Sequence, residues 1–174
     1  LAKNYEGVKE LNLLVGIATD KKHTYYKPRI SFDEFLNISD NIIKISACLA
    51  SPLNKYKNKE NYSTEIYDKL CKKYDYYEIQ PHIATQQIEY NLYLLQLSKQ
   101  YNKKLIMGTD IHAVNKYKQE CRSILQKAKK IEYEDEDKYD LTCKSYDELV
   151  EMCKTQNCFN MEVYLEAINN TNVV

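Results

Sequence analysis

The sequence predicts an α/β fold in which parallel strands alternate with helices, and three observations carry that prediction. Short apolar runs that end in turn residues occur at 41–47, 75–80 and 104–109. Segments with apolar residues at helical spacing separate these runs, at 62–74 and 84–101. The order strand, helix, strand, helix, strand is typical of parallel strands joined by right-handed crossovers. We therefore expect an open parallel sheet or a barrel with helices outside it.

Two further helices are predicted from apolar spacing alone. Residues 5–18 carry apolar residues at helical intervals, which predicts a helix with one buried face. Residues 117–130 show the same spacing and predict a second helix. Its inward-facing residues are expected to be Cys121, Ile124, Leu125 and Ala128.

Helix starts are marked by capping boxes, in which a Ser at the N-cap is followed three residues later by Glu. Ser31 with Glu34 predicts a short helix through Leu36. Ser145 with Glu148 predicts a helix that continues beyond them. A last short helix is expected at 162–168.

Composition limits the class of protein. The chain has 174 residues, 44% hydrophobic and 29% charged, which indicates one globular domain rather than a disordered chain. Its 25 basic and 25 acidic residues cancel, so whole-chain charge gives no sign of a nucleic-acid partner. The six Cys form no CxxC pair, which favours reduced thiols in a cytoplasmic protein over a disulfide scaffold. No apolar run reaches the length of about 18 residues that a membrane span needs.

The most specific local feature is the run GTDIH, which follows the apolar run at 104–107. Functional groups gather at the carboxyl ends of strands in parallel α/β folds. Asp110 and His112 lie two residues apart on an extended segment and so point to the same side. A carboxylate and an imidazole suit zinc, manganese or iron. The alternative is a surface Asp and His at the end of a strand.

The other two predicted strands also end in chemically active side chains. Cys48 follows the first strand and is a candidate soft metal ligand, or else a buried structural thiol. Glu78 and His82 alternate along the end of the second strand with Gln80 between them. They are candidate contacts for metal or substrate, although His82 can also simply cap its loop. No glycine-rich phosphate loop and no GxSxG elbow occur.

Several motifs in fixed order resemble one family. The runs LAKNYEGVKEL, YYKPRI, ISACLAS, YYEIQPH and KLIMGTDIHAVNK, followed by KSYDELVEM and EAINNTNVV, are similar to bacterial DNA polymerase III alpha subunits. The similarity is to their polymerase-and-histidinol-phosphatase domain, the PHP domain, and it extends over nearly the whole chain. Ser51 stands where a Gly is usual, and Pro81 and Ile83 around His82 also depart from the family pattern.

The resemblance implies a distorted (β/α)7-type barrel, of which this chain is a part. Residues 1–158 would be the C-terminal portion of the PHP domain, and 159–174 would begin the connection to the polymerase core. The start of the chain reads as a cut into a longer protein, so the family's H-x-H motif and its neighbouring ligands are expected upstream of Leu1.

The same resemblance implies roles for individual residues. Asp110 and His112 match the closing D-x-H metal ligands, Cys48 matches the Cys of a SACLAG-like motif, and His82 matches the His of a Q-x-H motif. The implied cofactor is a divalent metal, zinc or manganese, with magnesium serving the polymerase domain elsewhere. The implied partners are DNA and replisome subunits such as the sliding clamp and a separate exonuclease subunit.

Three functions follow as hypotheses. The first is a polymerase domain that contributes a metal site, with 3′–5′ exonuclease proofreading as its activity. The second is a non-catalytic module that braces the polymerase. The third is a stand-alone PHP phosphoesterase, which the polymerase-like LAKN, KPRI and EAINNT segments disfavour.

Overall fold

The computed structural model describes residues 1–57, 63–131 and 139–174. Residues 131–140 are strongly acidic, which predicts a loop, and most of that loop lies outside the described residues. The elements in chain order are α1 (Tyr5–Thr19), α2 (Phe32–Leu36), α3 (Pro52–Tyr56), α4 (Thr64–Lys73), β1 (Tyr76–Ile79), α5 (Thr85–Tyr101), β2 (Lys104–Met107), α6 (Lys116–Ala128), α7 (Tyr146–Gln156) and α8 (Met161–Asn170), with a final 3₁₀ turn at Thr171–Val173. None of the described helices is long and apolar enough to cross a membrane.

A β–α–β unit forms the centre of the structure. β1 and β2 pair in parallel from Tyr76 opposite Lys104 to Ile79 opposite Met107. α5 is the crossover helix between them, as the sequence predicts. α8 packs along β2 and is fixed there by the Asn170 side-chain amide, which donates to the Leu105 carbonyl at 2.9 Å. The two capping boxes, which open α2 and α7, are also confirmed.

The first predicted strand, 41–47, is only partly realised. It lies parallel to β1 through a single bridge between Ile45 and Tyr76, on the side of β1 away from β2. Lys44 is buried beside the start of β1, with its ammonium 3.1 Å from the Asp75 carboxylate. Ala47 then takes a positive φ of 58°, which ends the extended run because a left-handed residue cannot continue a strand. Segment 44–46, β1 and β2 thus lie side by side with their carboxyl ends at one edge.

The described residues form a mostly helical α/β structure with a two-stranded parallel sheet. The α/β class is therefore confirmed, whereas the described part of the chain does not show the barrel that the resemblance implies. The main core lies between the sheet and helices α4, α5, α7 and α8. Its largest fully buried side chains are those of three tyrosines, Tyr77, Tyr90 and Tyr164.

The predicted inward face of α6 is wrong. Cys121 and Ala128 are exposed, and Ile124 and Leu125 are 68% and 53% exposed. The helix instead turns polar residues toward the chain, and the Gln119 side chain donates to the Tyr139 carbonyl at 3.2 Å. Apolar spacing shows which residues share a face, but it does not show what covers that face.

The predicted buried face of α1 is confirmed only in part. Three apolar residues of that face are half-buried: Leu11, Leu14 and Ala18. Val8 and Val15 are 42% and 62% exposed, and Gly7 is the one fully buried residue of the helix. α1 approaches the rest of the chain at this glycine. A Cβ placed there would lie 2.3 Å from the Asn41 carbonyl oxygen.

This close approach predicts that Gly7→Ala destabilises the fold. The added methyl group must displace backbone, so we expect the free energy of unfolding to fall by about 1–3 kcal/mol. Gly16 lies in the same helix with no atom within 4 Å of a Cβ built on it. Gly16→Ala is therefore the matched control and should stabilise the helix by about 0.5–1 kcal/mol. Urea unfolding of both variants tests this, and equal effects would contradict the packing of α1.

Candidate functional site

Asp110 and His112 lie together at the carboxyl end of β2. Gly108 extends the pairing beyond β2, since its N–H donates to the Ile79 carbonyl at 2.9 Å. Asp110 then takes a positive φ of 49°, which turns the chain out of the strand. The turn leaves the His112 Nε2 atom 3.4 Å from the Asp110 Oδ1 atom, with both side chains partly exposed.

A second parallel pairing fixes this turn from the other side. The N–H groups of His112 and Ala113 both donate to the Leu141 carbonyl, at 2.9 and 3.1 Å. The Cys143 N–H donates in turn to the Ala113 carbonyl at 3.0 Å. The backbone that carries His112 is thus held between β2 and segment 141–143.

Glu78 is a half-buried carboxyl group at the same edge. Its side chain crosses the Gly108 backbone so closely that a Cβ on Gly108 would lie 2.2 Å from its Oε1 atom. The Gln80 side-chain amide donates to that oxygen at 2.8 Å. Burial raises the pKa of Glu78, and the neighbouring Asp110 carboxylate adds to the rise. Glu78 therefore holds a proton more readily than an exposed glutamic acid.

His82 is almost completely buried, at 3% exposure. Neither ring nitrogen has a hydrogen-bond partner among the described residues, and the Tyr139 ring stands edge-on to it at 4.9 Å. Burial lowers the pKa of His82, although the carboxylate of Asp110, the Thr109 backbone and the carboxylate of Asp140 favour the charged form. His82 is consequently neutral at pH 7.

Cys48 is half-buried and follows segment 44–46, which places it toward the same edge by register. Across the described ranges, no three His, Cys, Asp or Glu side chains gather as a metal site. Asp110 and His112 thus stand as an adjacent pair of donors, fewer than the three protein ligands that even an open zinc site uses. The assignment of Cys48, His82 and Glu78 to a metal or substrate stays a prediction.

Sequence reasoning missed a charged cluster beside this edge. The Lys144 ammonium, with its side chain only 8% exposed, lies 2.8 Å from the Asp140 carboxylate and also donates to the Thr142 hydroxyl. Burial alone would raise the pKa of Asp140, but Lys144 and the Thr142 hydroxyl and N–H outweigh it and lower the pKa to about 2. The alternation of Asp140, Thr142 and Lys144 on an extended segment was the available signal.

A buried amide network, also missed, holds the loop that carries His82. The Asn91 side chain of α5 donates to the Gln80 carbonyl at 2.7 Å and accepts from the Gln80 N–H at 3.2 Å. The Gln156 side chain of α7 donates to the carbonyls of both Gln80 and His82. Its Oε1 atom accepts from Asn91 at 3.1 Å and from the Tyr164 hydroxyl at 2.7 Å. Three helices therefore fix the carboxyl end of β1.

The sequence does contain one indication of this network, a pair of polar residues on the apolar face of α5. Gln87 and Asn91 are four residues apart in α5, and both are essentially unexposed. The Gln87 side chain donates to the Asn91 Oδ1 atom at 2.9 Å. The sequence offers no comparable sign for Gln156, whose partners in α5 and in the loop after β1 lie 65 to 76 residues away in the chain.

Comparison with known proteins identifies one relative. The DNA polymerase III subunit alpha of Aquifex aeolicus (strain VF5) is 30% identical to this chain over 121 residues. The chain is therefore distantly similar to part of a DNA polymerase III alpha subunit. The match covers 66% of this chain but 10% of the relative, so the chain spans about a tenth of that protein's length. No protein-family model matches the chain.

We predict that Gln156→Leu strongly destabilises the protein. Leucine leaves the His82 carbonyl buried without a donor, removes one of the two donors to the Gln80 carbonyl, and removes an acceptor of the Tyr164 hydroxyl. The free energy of unfolding should therefore fall by about 2–4 kcal/mol. Gln100 is exposed on α5, and Gln100→Leu should change it by less than about 0.5 kcal/mol. Similar free energies of unfolding for the two variants in urea would show that the amide network does not stabilise this loop.

We also predict that His82 makes stability depend on pH. The pKa of His82 in the folded protein is lowered from 6.5. Its contribution to folding stability is therefore complete above pH 6.5 and is lost as the pH falls through the folded-state pKa. The free energy of unfolding should decrease below pH 6.5, and His82→Phe should remove that part of the decrease. NMR titration of the His82 ring should give a midpoint below 6.5. A midpoint above it would show that the ring is not desolvated in this way.

Proposed function

We propose that this chain is part of the PHP domain of a DNA polymerase III alpha-type subunit, with residues 1–158 in that domain and 159–174 leading toward the polymerase core. The similarity to the Aquifex protein and the ordered family motifs support the polymerase context. The observation that most directly supports a functional site is the distance of 3.4 Å between the His112 Nε2 and Asp110 Oδ1 atoms, at the carboxyl end of a parallel strand. DNA synthesis itself belongs to another part of the longer protein.

Within this proposal, Asp110 and His112 are ligands of a divalent metal, zinc or manganese. Their carboxylate oxygen and imidazole nitrogen suit these ions, and both side chains are accessible enough to turn toward one. Asp110 binds as the carboxylate, and His112 binds as the neutral imidazole. Further ligands are required, and we propose Cys48, which follows segment 44–46, as one of them.

The activity we propose for the completed site is 3′–5′ exonuclease proofreading. A bound divalent metal supplies Lewis-acid stabilisation of charge on the scissile phosphate and lowers the pKa of a bound water. Two features of this chain support the site. The pairing with Leu141 fixes the His112 backbone, and the raised pKa of Glu78 favours its protonated form beside Asp110. DNA is the proposed substrate, and the sliding clamp and a separate exonuclease subunit are proposed partners.

A second candidate is a structural module that supports the polymerase without chemistry of its own. One observation favours it: the described residues bring together two potential metal ligands, not three. Metal analysis of the full-length gene product separates the candidates. Stoichiometric zinc or manganese supports the metal site, and a folded protein without either supports the structural role.

The test of the catalytic proposal is the double variant Asp110→Ala, His112→Ala in the full-length gene product. We expect divalent-metal-dependent 3′–5′ exonuclease activity to fall at least about 100-fold, because two ligands are lost, while primer extension continues. Asp40 has a fully exposed side chain away from this edge, so Asp40→Ala is the control and should leave both activities unchanged. Exonuclease activity that survives the double variant would contradict the catalytic proposal.

A further inference from the structure

A cavity of about 600 Å³ opens beside the Asp110–His112 pair. It lies between the turn at 81–83, the start of α6, segment 140–144 and α7. Val114, which lines it, is two residues from His112, and the bridge between Ala113 and Thr142 forms the common wall. Its volume is within the range of small-molecule sites, about 300–1,000 Å³. A ligand in this cavity would therefore lie close to the turn that carries Asp110 and His112, neither of which lines the cavity itself.

The lining combines apolar sides with a polar floor. Ile83 and Val114 are 62% and 74% exposed at the cavity, although both are apolar. The floor contains Thr142, which is 5% exposed, and the buried ammonium of Lys144. Asp140 completes it, with a side chain that is 44% exposed and so accessible to a ligand.

The charges around the cavity disfavour a phosphate. Three carboxylates, those of Asp140, Glu148 and Glu151, line it against the two ammonium groups of Lys116 and Lys144. Lys144 already forms an ion pair with Asp140, and this pairing weakens its attraction for a bound anion. An uncharged planar ligand with N–H donors fits better, because apolar side chains cover its faces and the Asp140 carboxylate accepts from its edge.

We infer that this cavity binds a nucleobase, and that the base is the unpaired 3′-terminal base of a DNA strand whose last phosphodiester lies at the Asp110–His112 pair. The inference rests on the proposed function for its DNA substrate. Apolar contact with the faces of a base tolerates any sequence, as a proofreading site requires. The carboxylate of Asp140 accepts from an N–H on the Watson–Crick edge of the base, and each of the four bases carries at least one such donor.

The experiment is photocross-linking of the full-length gene product to a single-stranded oligonucleotide with iodouracil as its 3′-terminal base, without divalent metal. Mass spectrometry should find cross-links in the peptides that contain Ile83, Val114 or Met152. Val114→Ser should reduce these cross-links about tenfold, because it removes an apolar wall. Ile124 is similarly exposed on α6 away from the cavity, so Ile124→Ser is the control and should leave them unchanged.

Three results would overturn the inference: cross-links confined to other peptides, cross-links that Val114→Ser does not reduce, or labelling of these peptides by free iododeoxyuridine but not by the oligonucleotide. The exonuclease assay is read separately. Cross-links at the cavity without metal-dependent cleavage would contradict the proposed catalysis alone, and cleavage without these cross-links would contradict the cavity alone.

Discussion

The buried amides of Asn91 and Gln156 are the constraint on which the rest of this edge depends. They satisfy the backbone of Gln80 and the carbonyl of His82 from two different helices, and Tyr164 of α8 completes the set. Buried backbone groups without partners are costly, so the loop after β1 has one arrangement that satisfies all of them. The position of His82, and of the cavity beside it, follows from that arrangement.

The parallel register then decides which side chains meet. Because segment 44–46, β1 and β2 run in the same direction, their carboxyl ends reach one edge and bring Glu78, Asp110 and His112 together there. The same burial that collects these groups changes their chemistry: the pKa of Glu78 rises and that of His82 falls. Both shifts favour the neutral form of the side chain, that is, the protonated Glu78 carboxyl group and the unprotonated His82 imidazole.

The sequence predicted the parts of the fold that depend on local pattern. The β1–α5–β2 unit and both capping boxes follow from residue spacing, and the D-x-H motif located Asp110 and His112. It failed where the answer depends on distant packing. The apolar stripe of α6 faces outward because its polar side contacts the chain, and Gln156 reaches across 76 residues to Gln80, which no local pattern encodes.

The proposal that most needs a test is that a divalent metal binds to Asp110 and His112 at the carboxyl end of β2. The most direct measurement is anomalous diffraction from crystals of the full-length gene product grown with Mn²⁺. We expect an anomalous peak within coordination distance of both the Asp110 carboxylate oxygen and the His112 imidazole nitrogen. A manganese peak at other residues only, or none in well-ordered density for this edge, would contradict it.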